Sequence, residues 1–391
     1  MSSEVAHAPP VLSLTDGGPG AALLKRLRLT YSELGAASPR TAIILVAVTW
    51  PPLCLLAVLQ GLATGGTQLP FLHDIASHVR FLFAVPALAL AEIPVGARLR
   101  RTAAQFVTAG LVPTTGEARF ADVVADTIRF RDSRAAELVV LGAAYFGTYL
   151  SLHSAPAHGL TTWYIADGGL TAAGYWYAFV ALPIFQFLTF RWIYRMVVWA
   201  RFLRQVSKLD LQLTPTHPDG AAGLGFLGKG AVAFAPVLLS LSAVMASGIA
   251  AAILFSGAKL QDYQQTYIAL IVIALIIFAG PLLVFTPVLV ALKHRSLQEY
   301  GALASRYTQL FQRKWIDHRD TTDEPLLGSA DIQSLADLST SYDLVRKMRA
   351  VPIELSDFIA IALAAVVPGP PLLATVMPVS DILKCVFRLL G

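Results

Sequence analysis

Long apolar runs, each bounded by a polar or basic stretch, dominate the hydropathy pattern of the chain. A helix rising 1.5 Å per residue needs about 20 mostly apolar residues to cross roughly 30 Å of hydrocarbon. Six segments meet that requirement, at about 41–63, 79–97, 135–155, 172–197, 231–256 and 268–292. A seventh, about 353–377, is apolar but interrupted by Pro368, Pro370 and Pro371. It reads either as one kinked span followed by a surface helix, SDILKCVFRLLG, or as a re-entrant hairpin turning at Pro-Gly-Pro-Pro. The pattern predicts an all-α fold: a polytopic transmembrane helical bundle with six or seven spans and helical extensions outside the membrane.

The segments between spans also carry helical periodicity. Thr114 and Glu117 have capping-box spacing, and the helix they open, EARFADVVADTIRFRDSRAAELVV, is expected to run straight into the third span. Phe120, Val123, Val124 and Ile128 form its stripe, with Asp126 and Arg129 spaced for local pairing. The fourth span continues as a helix through Lys208. The sixth continues with Leu297, Tyr300, Ala304, Tyr307 and Phe311 on one face, making a rod of roughly 70 Å from 268 to about 315. An amphipathic helix capped by Ser329 follows, with Ile332, Leu335, Leu338, Tyr342, Val345 and Met348 aligned. The expected organisation is a disordered basic segment at 1–40 and a bundle at 41–292 with inner loops 98–134 and 198–230. A helical subdomain at 293–352 and the ambiguous 353–391 complete it.

Composition fixes the class. Charged residues make up 14% of the 391-residue chain and hydrophobic ones 55%, against roughly 25% charged in an average soluble domain. Two cysteines, Cys54 and Cys385, exclude a disulfide framework. With the N-terminus inside, 26 of the 30 Lys and Arg fall on inner segments or at span ends bordering them. The reverse orientation inverts the positive-inside rule. The first span then reads as an uncleaved signal-anchor. The net charge of +5 follows from the same rule, and no nucleic-acid partner is expected. Trp163, Tyr164, Tyr175, Trp176 and Tyr177 read as an outer interfacial belt.

Ionisable groups inside spans are functional candidates. Glu92, in ALALAEIPVGARLR, is the pathway candidate; its bland alternative is a structural pair with an arginine at the inner interface. Arg80, Glu137, Glu354 and Asp357 lie near enough to span ends to snorkel, and no second buried carboxylate or histidine gives the paired arrangement a proton relay prefers. Arg191, Arg195, Arg201 and Arg204 alternate with aromatics and suit either an anionic-lipid site or an ordinary interfacial anchor. His73, His78, His153 and His158 read as loop histidines, with an outer site involving Asp74 or Asp167 as the alternative. Prolines break every span but the third, a feature shared by transport pathways and by membrane helices in general.

Between the fourth and fifth spans lies LDLQLTPTHPDGAAGLGFLGKG. Its context excludes a co-chaperone J-domain, and its glycine spacing matches no phosphate-loop motif. Three roles remain open. Asp219 or Thr216 can cap the next helix; the Gly220 and Gly223 amides can hold an anion or headgroup; or His217 and Asp219 can contribute two metal ligands. FRWIYRMVVWARFLRQVSKLDLQLTPTHPDGAAGLGFLG, with YGALASRYTQLFQRKWI and EPLLGSADIQSLADL, resembles a group of uncharacterised bacterial inner-membrane proteins over roughly the C-terminal half. The resemblance implies a bacterial inner membrane and carries no activity, cofactor or site residue. The functional expectation is a homo-oligomeric ion or small-solute channel or transporter embedded in the lipid bilayer. A scaffold or sensor acting through the inner helices, or an enzyme on lipid or phosphate substrates, are its alternatives.

Overall fold

The computed structural model describes residues 12–15, 17, 38–154, 161–166, 168–317 and 330–375. In chain order its helices are α1 (Pro39–Leu59), α2 (Ile75–Thr108), α3 (Glu117–Arg131), α4 (Arg134–Ser154), α5 (Ala172–Val206), α6 (Phe226–Ser256), α7 (Leu260–Ile316), α8 (Ala330–Lys347) and α9 (Leu355–Val366). All but α3 and α8 are long and apolar enough to cross a membrane, α9 together with the 3-10 turn that follows it. The protein is a multi-pass membrane protein. Ile43, Leu59, Leu138, Phe146, Ile268 and Ile276 face outward at 62–73% exposure, an arrangement that only a lipid solvent makes favourable.

The helices start and stop for local reasons. Ser38 caps α1 by accepting the Thr41 N–H, with Pro39 in the first turn. Gly257 ends α6 in the left-handed conformation at φ +68°. Within α2 and α5 the chain widens into π turns at Val79–Ala84 and Tyr177–Ala181. Each turn closes two residues before a proline, Pro86 and Pro183. A proline lacks the N–H and presses its ring on the carbonyl four residues back, and a locally expanded turn relieves that conflict. In α7 the strain is met differently, by a 3-10 stretch at Gly280–Phe285 around Pro281. The helix nevertheless continues to Ile316, about 85 Å in all.

α2 and α5 form the central pair, with half of each apolar stretch buried. α4 packs on α5, and α6 and α7 close the other side with α9 between them. α9 and the turn after it run alongside α6: Asp357 near the start of α9 meets Lys229 in the first turn of α6, and Leu372 joins Ile249 and Ala250 in one buried cluster near the far end of α6. The surface helix expected beyond it lies outside the described residues. At the far end a two-residue antiparallel ladder, β1 (Ile165–Ala166) with β2 (Gly169–Leu170), shapes the loop before α5. At the other end, called the basic end below, α8 folds back on the extension of α7. Leu297, Tyr300, Ala304, Tyr307 and Phe311 are half-buried there, and Val345 and Met348 fully buried, so the expected stripes face each other. Ile332 departs from that stripe at 47% exposure. Ser329, the expected cap of α8, lies outside the described residues.

Several expectations are corrected. α3 does not run into α4, because the chain breaks at Asp132–Ser133 and the Ser133 hydroxyl accepts the Ala136 N–H to start a new helix. Thr114 makes no capping bond; it opens a 3-10 turn, and Gly116 precedes α3. Within the N-terminal segment expected to be disordered, Leu12, Ser13, Leu14 and Thr15 are buried. Their alternation places both leucines in the main core, and Arg131 donates to the Ser13 carbonyl. Thr15 rests against Gly96 of α2, where an added Cβ would lie 2.5 Å from the threonine hydroxyl. Gly96→Val is therefore expected to expel this segment. A cysteine placed by Ser13→Cys should react slowly with a maleimide in the parent and much faster beside Gly96→Val; equal rates would show that the segment does not dock there.

Candidate functional site

The ionisable groups of the central pair form two layers on one α2–α5 seam. At the basic end Glu92 of α2 is 3% exposed and forms an ion pair with Arg195 of α5, Nη1 to Oε1 at 2.8 Å. Arg191, one turn earlier, stands 3.7 Å from the same oxygen. The helical phase explains the pairing: residues four apart share a face, so both guanidiniums meet one carboxylate. The Arg195 guanidinium also lies over the Trp192 ring at 4.8 Å, and the Trp192 indole donates to the Leu88 carbonyl at 2.9 Å. Glu92 is thus both the buried charge and an arginine partner, with one carboxylate facing two cations.

The second layer lies at the far end. Arg80, inside the first π turn, donates to the Tyr177 hydroxyl, at the start of the second, at 2.6 Å. Asp74 is buried and accepts from the Ser77 backbone and hydroxyl and from the Trp163 indole at 2.9 Å. Trp163 is fully buried against Phe71, Tyr164 and Tyr177. The expected interfacial belt is therefore corrected for Trp163 and Tyr177, which line the interior, while Tyr175 stays exposed. Arg80 does not snorkel outward but lies across the Phe185 ring. His78 accepts from the Trp50 indole at 2.9 Å and is structural. His158 and Asp167, of the alternative outer site, lie outside the described residues. Between the layers, Phe81, Ala84 and Leu88 pack with Ala181, Leu182 and Phe185, all buried, over about 20 Å of helix.

The Gly-rich loop is a separate unit. Its centre is the Asp219 carboxylate, which accepts from the backbone of Ala221 at 2.8 Å, Gly223 at 3.1 Å and Gly225 at 2.8 Å. The His217 Nδ1 lies 2.8 Å away. Burial on its own would raise the carboxyl, but the N–H groups of Ala221, Gly225 and Gly223 outweigh it and hold Asp219 below the ordinary range. Gly220, Ala222 and Gly223 adopt left-handed φ values of 62°, 55° and 95°, which wrap the backbone around the carboxylate. The loop is then clamped from 130 residues away: the Arg349 backbone donates to Gly220 and its side chain to the Asp219 carbonyl. Arg349 also reaches Glu354 at 3.5 Å, and Lys229 pairs with Asp357 at 2.6 Å. Asp357 is 1% exposed, so the expectation that it snorkels is corrected.

The structure divides the sequence candidates. Arg191 and Arg195 join Glu92 within the bundle. Arg201 instead pairs with Asp126 at 2.8 Å and lies over Phe130, and Arg204 is exposed. The hydrogen bonds from Arg201 and then Gln205 lower Asp126 to about 2. Thr216, His217, Asp219, Gly220 and Gly223 build the loop, whose amides at Gly223 and Gly225 are held by Asp219 itself. Among the described residues no group of three or more His, Cys, Asp or Glu is placed to hold a metal. No family model, curated protein or solved structure matches the chain. Sequence reasoning missed Asp74, Arg80 and Asp357 as interior groups, since charges near span ends are expected to reach water.

Proposed function

We propose that the protein is a channel or transporter for an ion or small solute, with the α2–α5 seam as its pathway in a closed state. The carrying observation is the pairing of the two helices by polar groups at both ends of the seam, Glu92–Arg195 and Arg80–Tyr177, with an apolar closure between. Charges in hydrocarbon are costly and are kept where they serve a path or a partner. The adjoining π turns are places where a helix can re-register, as moving elements require. The positive-inside distribution and the resemblance of the C-terminal half favour a bacterial inner membrane with the N-terminus in the cytoplasm. The enzyme alternative is less supported, because His217 and Asp219 bond one another and the loop backbone.

The test is flux in sealed liposomes containing the purified protein. Uptake of chloride, potassium, protons, phosphate or a small carboxylate should exceed that of protein-free vesicles, and Tyr177→Phe, which removes the far-end bridge, should change the rate severalfold. No flux of any of these above the protein-free level overturns the proposal.

A further inference from the structure

Beside the seam, on its lipid-facing side, α1, α2, α4 and α5 enclose a cavity of about 440 Å³, within the ~300–1,000 Å³ typical of small-ligand sites. Its walls are apolar, including Leu45, Leu141, Phe179, Ile184 and Phe187. Along α5 it runs from Phe179 to Arg191, about 18 Å of helix. Its charged groups, Glu92 and Arg191, lie at the basic end beside Thr41, while the Tyr145 hydroxyl on the rim donates to the Phe179 carbonyl. The rim residues Leu141, Tyr145 and Phe179 are 44–61% exposed, so the cavity opens sideways to lipid.

We infer that this groove is a binding site for one anionic phospholipid, its phosphate at Arg191 and an acyl chain along the groove. Three observations select that occupant. Among the described residues the carboxylate of Glu92 faces two guanidiniums and is held at 2.8 Å by Arg195, leaving Arg191 at the looser 3.7 Å. Arg191 lines the groove, while Arg195 is buried behind Glu92. A guanidinium matches the oxygens of a phosphate. The polarity gradient, charged at one end and mostly apolar over the remaining length, is that of a lipid lying parallel to its neighbours with the headgroup at the membrane surface. A soluble anion would leave the apolar length unused, and a neutral lipid would bring no net charge to Arg191. This inference does not require the seam to conduct.

The experiment reads lipid retention on the full-length protein by native mass spectrometry after exchange into a 1:1 mixture of phosphatidylglycerol and phosphatidylcholine. One phosphatidylglycerol per chain is expected to be retained in preference to phosphatidylcholine. Arg191→Gln should reduce that preference about tenfold, the worth of one charge-assisted contact, and Arg191→Lys should restore part of it. Ile184→Trp, which fills the groove and leaves every charge in place, should remove the bound lipid; size-exclusion profiles and melting temperatures of the variants show that they remain folded. Equal retention of the two lipids overturns the inference. So does a phosphatidylglycerol preference that Arg191→Gln leaves intact, which would reflect the basic end as a whole. Disulfide formation between copies bearing Leu141→Cys, with no lipid retained by the parent, would assign the groove to a second copy and overturn it as well. Liposomes that show no flux yet retain the lipid would separate the two proposals.

Discussion

Glu92→Leu is expected to destabilise the purified protein by about 3–5 kcal/mol, the cost of leaving a buried charge without its partner. Arg195 is 4% exposed and lies behind the Glu92 carboxylate, so without Glu92 it must lose its proton, move, or remain charged in apolar surroundings. All three are costly. The double variant Glu92→Leu, Arg195→Leu removes both charges, and a buried pair replaced by apolar side chains of similar size is often close to neutral. It should recover most of the loss, since Arg191, less buried, can turn its guanidinium toward the membrane surface. Arg195→Leu alone leaves Glu92 with Arg191 at 3.7 Å and should cost less than Glu92→Leu. Thermal unfolding of the four proteins in one detergent measures the coupling. Losses that simply add would show that the two residues act separately, and the basic-end layer would no longer be a unit.

The spans and the buried carboxylate of the seam were legible because each is a local property of the chain. Twenty apolar residues and one Glu among them need no partner to be noticed. The second polar layer was not legible. Asp74 and Arg80 lie near the start of α2, where a sequence gives equal support to a side chain reaching water and one turned inward. Only the packing of Trp163 and Tyr177, about 90 residues away, decides the matter. The π turns left a faint trace, since VRFLFAVP and YAFVALP each place a proline just after an apolar aromatic run, but proline alone does not distinguish a π turn from a kink. The break between α3 and α4 had a clear signal, Asp132–Ser133 as a helix start, overridden by a continuous amphipathic pattern. The partner of the Gly-rich loop, Arg349, was beyond reach for a different reason. Its main contacts are to backbone carbonyls at Asp219 and Gly220, and carbonyls carry no residue identity for a sequence to reveal.

That loop supplies the other large expected effect. Asp219→Ala should destabilise the protein by about 2–4 kcal/mol, because three partly buried N–H groups lose their acceptor together. The loss is not confined to the loop. Gly228 lies so close to Asp357 that a Cβ would overlap the carboxylate, and Lys229, the next residue, holds Asp357. A loop that loosens therefore shifts the first turn of α6 against α9. Asp219→Asn separates hydrogen bonding from charge. An amide oxygen in the place of Oδ1 still accepts from Ala221 and Gly223, but its nitrogen then faces the Gly225 N–H that Oδ2 had accepted, so an intermediate loss is expected. The pH dependence has a definite sign. A carboxyl whose folded value is depressed contributes stability above its unfolded value, and loses it as pH falls through the folded value. Wild type should thus lose stability on acidification relative to Asp219→Asn, and the two curves should converge once Asp219 is protonated. Hydrogen exchange at Ala221, Gly223 and Gly225 reports the bonds directly, with slow exchange in wild type and fast exchange in Asp219→Ala. If inorganic phosphate raised the melting temperature of wild type and restored slow exchange in the alanine variant, the amides would be an anion site that Asp219 only fills in the absence of ligand. No effect of phosphate on either protein leaves the carboxylate as the loop's own permanent anion.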